Sequence, residues 1–155
     1  CMINIDKNLD IVEFKKIILQ KPFLGICMGL QVLMTHSEEN KGADCLNVLD
    51  GKVLSMKRKM NINLKVPHMG WNKVKQENQH PLWGNIPNES FFYFVHSYFV
   101  EPSNKLNILS TTSYNLDFAS ALYKDNIAAV QFHPEKSSKM GLKLLENFIN
   151  WNGEI

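Results

Sequence analysis

Apolar positions along the chain fall into a few recognisable patterns. Over residues 9–20, LDIVEFKKIILQ, Leu9, Val12, Ile17 and Ile18 recur at helical spacing with Lys15 and Lys16 opposite, which predicts an amphipathic helix ended before Pro22. Phe23-Leu24-Gly25-Ile26 is a continuous apolar run of the kind carried by strands buried on both faces, and Met28 to Met34 resumes a helical pattern. Together these segments read as strand, sharp turn, helix. Ser37 to Asp44 reads as loop and Lys52 to Met56 as strand. Further strands are predicted over 91–95, 106–112, 118–123 and 127–132, the last two flanking a Lys124-Asp125-Asn126 hairpin turn. A closing helix over 140–151 sets Leu142, Leu145, Phe148 and Ile149 on one face. The opening CMINIDKNLD is polar and offers no strand. No repeat, low-complexity tract or linker interrupts the pattern. It predicts one α/β domain over residues 1–155, with helices on both sides of a mixed sheet.

Composition narrows the function classes. At 155 residues and 45% apolar side chains the chain builds one sizeable core. A net charge of +2 is too mild to predict a nucleic-acid stripe or an anionic-membrane binder. No apolar run approaches the ~18 residues of a membrane span, and no basic-then-apolar signal opens the chain, which predicts a cytoplasmic protein without membrane or nucleic-acid partners. Three cysteines, Cys1, Cys27 and Cys45, are odd in number and far apart. They fit a reducing compartment and lack zinc-site spacing, so no metal and no cofactor are expected.

Two segments carry chemistry. In Gly25-Ile26-Cys27-Met28-Gly29 an apolar strand runs into a turn whose flanking glycines relieve crowding, with a helix immediately after, the geometry of a nucleophile elbow. A thiol there meets a helix N-terminus, which predicts a pKa lowered toward neutrality. Alone, the segment suits a buried structural cysteine equally well. Gln131-Phe132-His133-Pro134-Glu135 sets an imidazole and a carboxylate two residues apart at the end of a predicted strand. Alone it suits a surface turn. Jointly they match the logic of a nucleophile, a general base and a group that orients the base, and they predict that Cys27, His133 and Glu135 meet within bonding distance at one rim of the sheet. His36 and His80 carry no signal and read as surface residues, and His96 as a satisfied structural histidine.

These segments also carry a resemblance. FLGICMGLQ around Cys27 and QFHPEKS around His133 resemble the class I (triad) glutamine amidotransferases, and VPHMGWN at 66–72 with FFYFVHSY at 91–98 resemble the HisH family, the glutaminase subunit of imidazole glycerol phosphate synthase. The resemblance implies an α/β fold with a mixed, mostly parallel sheet flanked by helices in a flavodoxin-like arrangement. It implies that Cys27 attacks the carboxamide of L-glutamine, that His133 shuttles the proton, and that Glu135 orients His133. It implies substrate contacts from Gln31, Glu39, Ser97 and Tyr98, and an oxyanion donor in the backbone N–H of Met28. It further implies that His68, Met69 and Trp71 lie near a face docking on a cyclase subunit, a (β/α)₈ barrel that uses the ammonia in histidine biosynthesis. Without the resemblance, Gln31 reads as a polar helix face, Glu39 as a loop charge, and Trp71 as a loop residue folded back on the sheet. Basic Lys57, Arg58, Lys59 and Lys65 read as solvated surface that can steer an acidic partner.

Two departures from the family pattern keep other readings open. The family's first strand and helix, and its glycine-rich loop with a second oxyanion donor, are not visible ahead of Cys1, which predicts that the numbering starts inside a longer parent. Asp44 to Gly51 lacks the usual glycine and proline, and KRKMNINLK after it is unusually basic. A paralogous subunit feeding ammonia to a surface-glycan sugar synthase, a non-catalytic docking subunit, and a cysteine hydrolase of another γ-glutamyl or peptide substrate are the alternatives.

Overall fold

A computed structural model describes residues 2–59 and 65–154; Cys1, Ile155, the Lys59 side chain and residues 60–64, within the basic segment noted above, lie outside the described residues. The chain runs α1 (Met2–Asn8), α2 (Ile11–Ile18), β1 (Phe23–Ile26), α3 (Met28–Val32), β2 (His36–Ser37), β3 (Ala43–Asp44), β4 (Gly51–Ser55), α4 (Met56–Lys59) and β5 (His68–Gln76). It continues through β6 (Ser90–His96), β7 (Tyr98–Pro102), β8 (Ile108–Ser113), β9 (Asp117–Lys124), β10 (Ile127–Val130) and α5 (Ser138–Asn150). Single 3₁₀ turns cover Glu39–Lys41, Pro81–Trp83, Lys105–Asn107 and Pro134–Lys136.

The strands form one sheet in the order β3-β2-β4-β7-β9-β8-β5-β6, with β10 also on β9 and β1 on β10. The sheet is mixed and flanked by helices, as the pattern predicts. It is not mostly parallel: β1–β10 and β2–β4 are the parallel pairs, and the other pairs are antiparallel. Short connections account for this. The turn at Asp125, φ 51°, returns β9 into β10, and one residue separates β6 from β7; neither leaves room for a parallel crossover.

Two cores lie on the two faces of the sheet, and β10 shows why. All four of its residues are buried. Ala128 and Val130 join Phe92, Phe94, Phe132, Leu144 and Trp151, while Ile127 and Ala129 join Ile18, Leu30, Val53 and Leu122. The period of two sends alternate residues to opposite layers.

The helices face the sheet with partly different residues from those expected; Ile18 and Phe148 face inward as predicted. Asp10 caps α2, its Oδ1 accepting from the N–H groups of Val12 and Glu13 at 2.9 and 3.1 Å. That start turns Ile11, Phe14 and Ile18 inward, and Leu9, Val12 and Ile17 are exposed. In α5, Gly141 and Leu144 are buried with Phe148 beside them, whereas Leu142 and Ile149 are exposed. Gly141 decides that face, because a Cβ there would lie 1.9 Å from the Pro134 carbonyl oxygen. The opening segment is helical over Met2–Asn8, and β5 is a nine-residue strand where a short loop was expected.

Candidate active site

β1 and β10 run in parallel register, Ile26 beside Val130, so the residues that follow them emerge at the same rim. Cys27 is the first residue past β1. Its N–H donates to the Val130 carbonyl at 2.7 Å, and its backbone takes φ 49°, ψ −100°, a strained conformation that turns the chain sharply into α3. Only one of the flanking glycines is required sterically by its own missing Cβ. A Cβ on Gly25 would lie 2.9 Å from the Gly29 carbonyl, whereas one on Gly29 meets nothing within 4 Å.

Past β10, Phe132 is fully buried between Phe92 and Phe94, with ring centroids 4.3 and 5.7 Å away. Full burial of such a ring contributes about 1.5–3 kcal/mol and anchors the residue after it. His133 is then tied down through its backbone. Its N–H donates to the Tyr93 carbonyl at 2.8 Å, and its carbonyl accepts from the Ser137 hydroxyl at 2.6 Å. The His133 Nδ1 meets Glu135 Oε1 at 2.6 Å. A carboxylate only accepts, so Nδ1 carries the proton and Nε2 is free to act as base.

The sulfur of Cys27 has its own partners. Gln131 Nε2 donates to it at 3.6 Å, the Met28 backbone N–H also hydrogen-bonds it, and the thiol faces the Val95 carbonyl at 4.0 Å. His133, which follows β10 at the same rim, is not among these hydrogen-bond partners. Nor is the thiol pKa lowered. Burial pushes it up, the Met28 N–H and the Gln131 amide pull it down, and the Glu135 carboxylate adds a further push upward. α3 is only five residues long, and its N–H groups do not outweigh desolvation.

A cavity of about 260 Å³ opens beside the elbow and is lined by Met28, Gln31 and Glu39 together with Ser37, Ala43 and Cys45. It brings together three of the residues expected around a substrate. Gln31 is buried, its Nε2 donating to the Tyr98 carbonyl and to Gln131 Oε1, both at 3.1 Å. Tyr98 thus reaches the site through its carbonyl, while its side chain packs into the core on the helix side. Ser97 does not line the cavity; its carbonyl accepts from the Met56 N–H at 3.0 Å.

Of the residues expected at a docking face, Met69 and Trp71 are exposed and His68 is not. β5 is a strand, so His68 points to the opposite side from its neighbour Met69. It is buried, stacked on Phe94 and Tyr114 with ring centroids 4.8 and 4.0 Å away. His80 is also buried, its Nδ1 accepting from the Leu82 N–H at 3.1 Å. His96 is buried and hydrogen-bonded, as expected of a structural histidine. Gln131, which no motif singled out, is fully buried against the sulfur. Its signal was there: one amide closing the apolar run IAAV just before His133.

Residues 7–151 match the family described as glutamine amidotransferase class-I. The chain belongs to that family. Among curated relatives, the imidazole glycerol phosphate synthase subunit HisH of Hydrogenovibrio crunogenus is 56% identical over 135 residues, covering 87% of this chain and 63% of that protein. The subunit of the same name from Nitrosococcus oceani is 53% identical over 146 residues, covering 94% and 69%. These relatives place this amidotransferase chain in the HisH branch, and it spans roughly two thirds of their length. Solved structures agree on the fold. A glutamine amidotransferase from Thermotoga maritima superposes with a TM-score of 0.58 at 18% identity, covering 89% of this chain and 52% of that one. The glutaminase domain of Trypanosoma brucei CTPS gives 0.56 at 20%, covering 84% and 61%. Among the described residues of the amidotransferase domain, no helix is long and apolar enough to cross a membrane, and no cluster of His, Cys, Asp and Glu has a metal-holding arrangement.

Proposed function

We propose that the protein is the glutaminase subunit of an imidazole glycerol phosphate synthase, hydrolysing L-glutamine to glutamate and ammonia. The ammonia passes to a cyclase partner with a (β/α)₈ barrel, which makes imidazole glycerol phosphate and AICAR in histidine biosynthesis, with the two subunits forming a cytoplasmic heterodimer. One observation carries this reading: the parallel register of β1 and β10 sets Cys27 and the His133–Glu135 pair on one rim.

In the proposed cycle the Cys27 sulfur leaves the Val95 carbonyl, gives its proton to His133 Nε2 and attacks the substrate's side-chain carbonyl carbon. The Met28 N–H takes up charge developing on the carbonyl oxygen. His133 returns the proton to the departing ammonia, then accepts one from water as that water attacks the glutamyl thioester and frees Cys27. Glu135 holds the ring in the tautomer both steps require. Gln31 and Glu39 line the cavity for the amino-acid end of the substrate, and the Tyr98 carbonyl holds the Gln31 amide in place there. The partner docks on the outer face of β5–β6, where Met69, Trp71 and Phe91 are exposed beside Tyr93. Lys57, Arg58 and Lys65 add positive charge that steers an acidic partner.

Measuring glutamate release by the full-length protein with its cyclase partner tests the proposal. Release should rise on adding the partner and vanish in Cys27→Ala; equal rates in the two proteins would remove the assignment.

A further inference from the structure

The sulfur sits at one end of a chain of hydrogen bonds whose direction is fixed link by link. The Tyr98 carbonyl is the starting point, because a carbonyl only accepts. It takes Gln31 Nε2 at 3.1 Å and His96 Nδ1 at 2.8 Å, so Nδ1 is the protonated nitrogen of His96. In the neutral ring Nε2 of His96 is then an acceptor, and the His68 Nδ1 at 2.9 Å is its donor. His68 Nε2 accepts in turn from Asn72 Nδ2 at 3.3 Å. Asn72 cannot turn round, since its Nδ2 also donates to the Ser113 carbonyl at 2.9 Å and its Oδ1 accepts from the Lys73 N–H at 2.8 Å.

On the other side, the Gln31 amide presents its nitrogen toward both Tyr98 and Gln131. The atom of Gln131 that meets it at 3.1 Å is therefore the oxygen, which leaves Nε2 of Gln131 facing the sulfur. Gln131 has no exposed surface, and its own N–H is held by the Ser120 carbonyl at 2.8 Å.

We infer that Gln131 is a catalytic residue that donates a hydrogen bond to the Cys27 sulfur and stabilises its thiolate, with Gln31 as the positioning residue that locks its amide in the donating orientation. The inference rests on Cys27 being the nucleophile. A thiolate at this place is buried and faces a carbonyl oxygen and the Glu135 charge, all of which oppose ionisation, while the Met28 N–H and the Gln131 amide favour it. Removing the side-chain donor leaves one backbone N–H against three opposing influences. Burial keeps both histidines neutral, each with a pKa near 4, so each ring has one donor and one acceptor nitrogen and the chain's direction persists at neutral pH.

The test is the pH profile of Cys27 alkylation by iodoacetamide in the full-length protein, read by mass spectrometry of the Cys27 peptide. Gln131→Met keeps the side chain's size and removes the donor. Its alkylation midpoint should rise by about one pH unit, a tenfold loss of thiolate at a given pH. Partner-stimulated kcat should fall about tenfold with KM for glutamine little changed. Gln31→Met, which removes the donor that holds the Gln131 oxygen, should shift the midpoint the same way by less. If Gln131→Met fails to fold, Gln131→Glu takes its place: its carboxylate still accepts from Gln31 but offers the sulfur no N–H, and the midpoint rises further. A midpoint equal to wild type in the folded Gln131 variant overturns the inference. Alkylation needs no turnover, so a shifted midpoint in a protein that releases no glutamate would sink the glutaminase reading and leave the role of Gln131 standing.

Discussion

Gly25 and Gly29 touch backbone to backbone across Cys27, a Cβ on Gly25 falling 2.9 Å from the Gly29 carbonyl carbon and oxygen. That contact lets β1 end against the first turn of α3 and puts the sulfur at the rim. Gly25→Ala should push the two apart, costing about 1–3 kcal/mol, or roughly 3–9 °C in melting temperature for a chain of this size. Gly29→Ala should melt at or above the wild-type temperature, because the new methyl enters open space and alanine favours the helix by about 0.5–1 kcal/mol. Circular dichroism melts of the two variants check the contrast.

Glu135 acts on two groups in opposite senses. It holds the His133 tautomer at 2.6 Å, and its charge raises the Cys27 thiol pKa. Glu135→Gln should therefore lower partner-stimulated kcat, by up to the 10²–10⁴-fold typical of general acid–base groups, while moving Cys27 alkylation to lower pH. Steady-state glutamate release and alkylation profiles measure the two effects separately. A parallel loss of both would mean that Glu135 merely holds the loop together.

What the sequence disclosed, and what it hid, follows from how each segment is solvated. Phe23 to Ile26 and Ile127 to Val130 are covered on both faces, and an unbroken apolar run is the direct imprint of that environment. Cys27 and His133 were legible because each follows such a run. β5 was not, because HMGWNKVKQ carries its large apolar residues Met69 and Trp71 outward and buries a histidine, the reverse of the usual sorting. The faces of α2 and α5 were misjudged for a related reason: Val12, Ile17, Leu142 and Ile149 are apolar yet exposed, so hydrophobicity alone did not mark the buried stripe. The hydrogen-bonded chain from Asn72 to Cys27 joins residues up to 104 apart, such as Gln131 and Cys27, and no local pattern encodes it.

Three buried histidines set the acid limit of stability. Burial holds His68, His80 and His96 at about 4, below the 6.5 of an ordinary imidazole. Between those values the unfolded chain binds protons that the native state refuses, so stability present above pH 6.5 is lost as the pH falls toward 4. Urea midpoints measured from pH 7.5 to 4.5 should decline through this window. His80→Gln should flatten the decline, because it removes one buried imidazole away from the catalytic rim; an unchanged slope would exclude His80 as a contributor.

His68 and Trp71 lie three residues apart in β5 with opposite surroundings, one enclosed by Phe94 and Tyr114 and the other half exposed beside Tyr93. Truncating each to alanine should separate folding from docking. His68→Ala empties a stacked site and leaves the His96 Nε2 without its donor, which should cost about 2–4 kcal/mol and lower the melting temperature markedly. Trp71→Ala should lower the melting temperature by less than His68→Ala, because half of the Trp71 surface is exposed. If the outer face of β5–β6 receives the cyclase, Trp71→Ala should weaken binding at least about tenfold, the 1.4 kcal/mol expected of an aromatic anchor at an interface centre. Titration calorimetry of the full-length variants against the partner reads this directly. Wild-type affinity in Trp71→Ala, combined with wild-type affinity in Met69→Ala, would move the docking face elsewhere on the molecule.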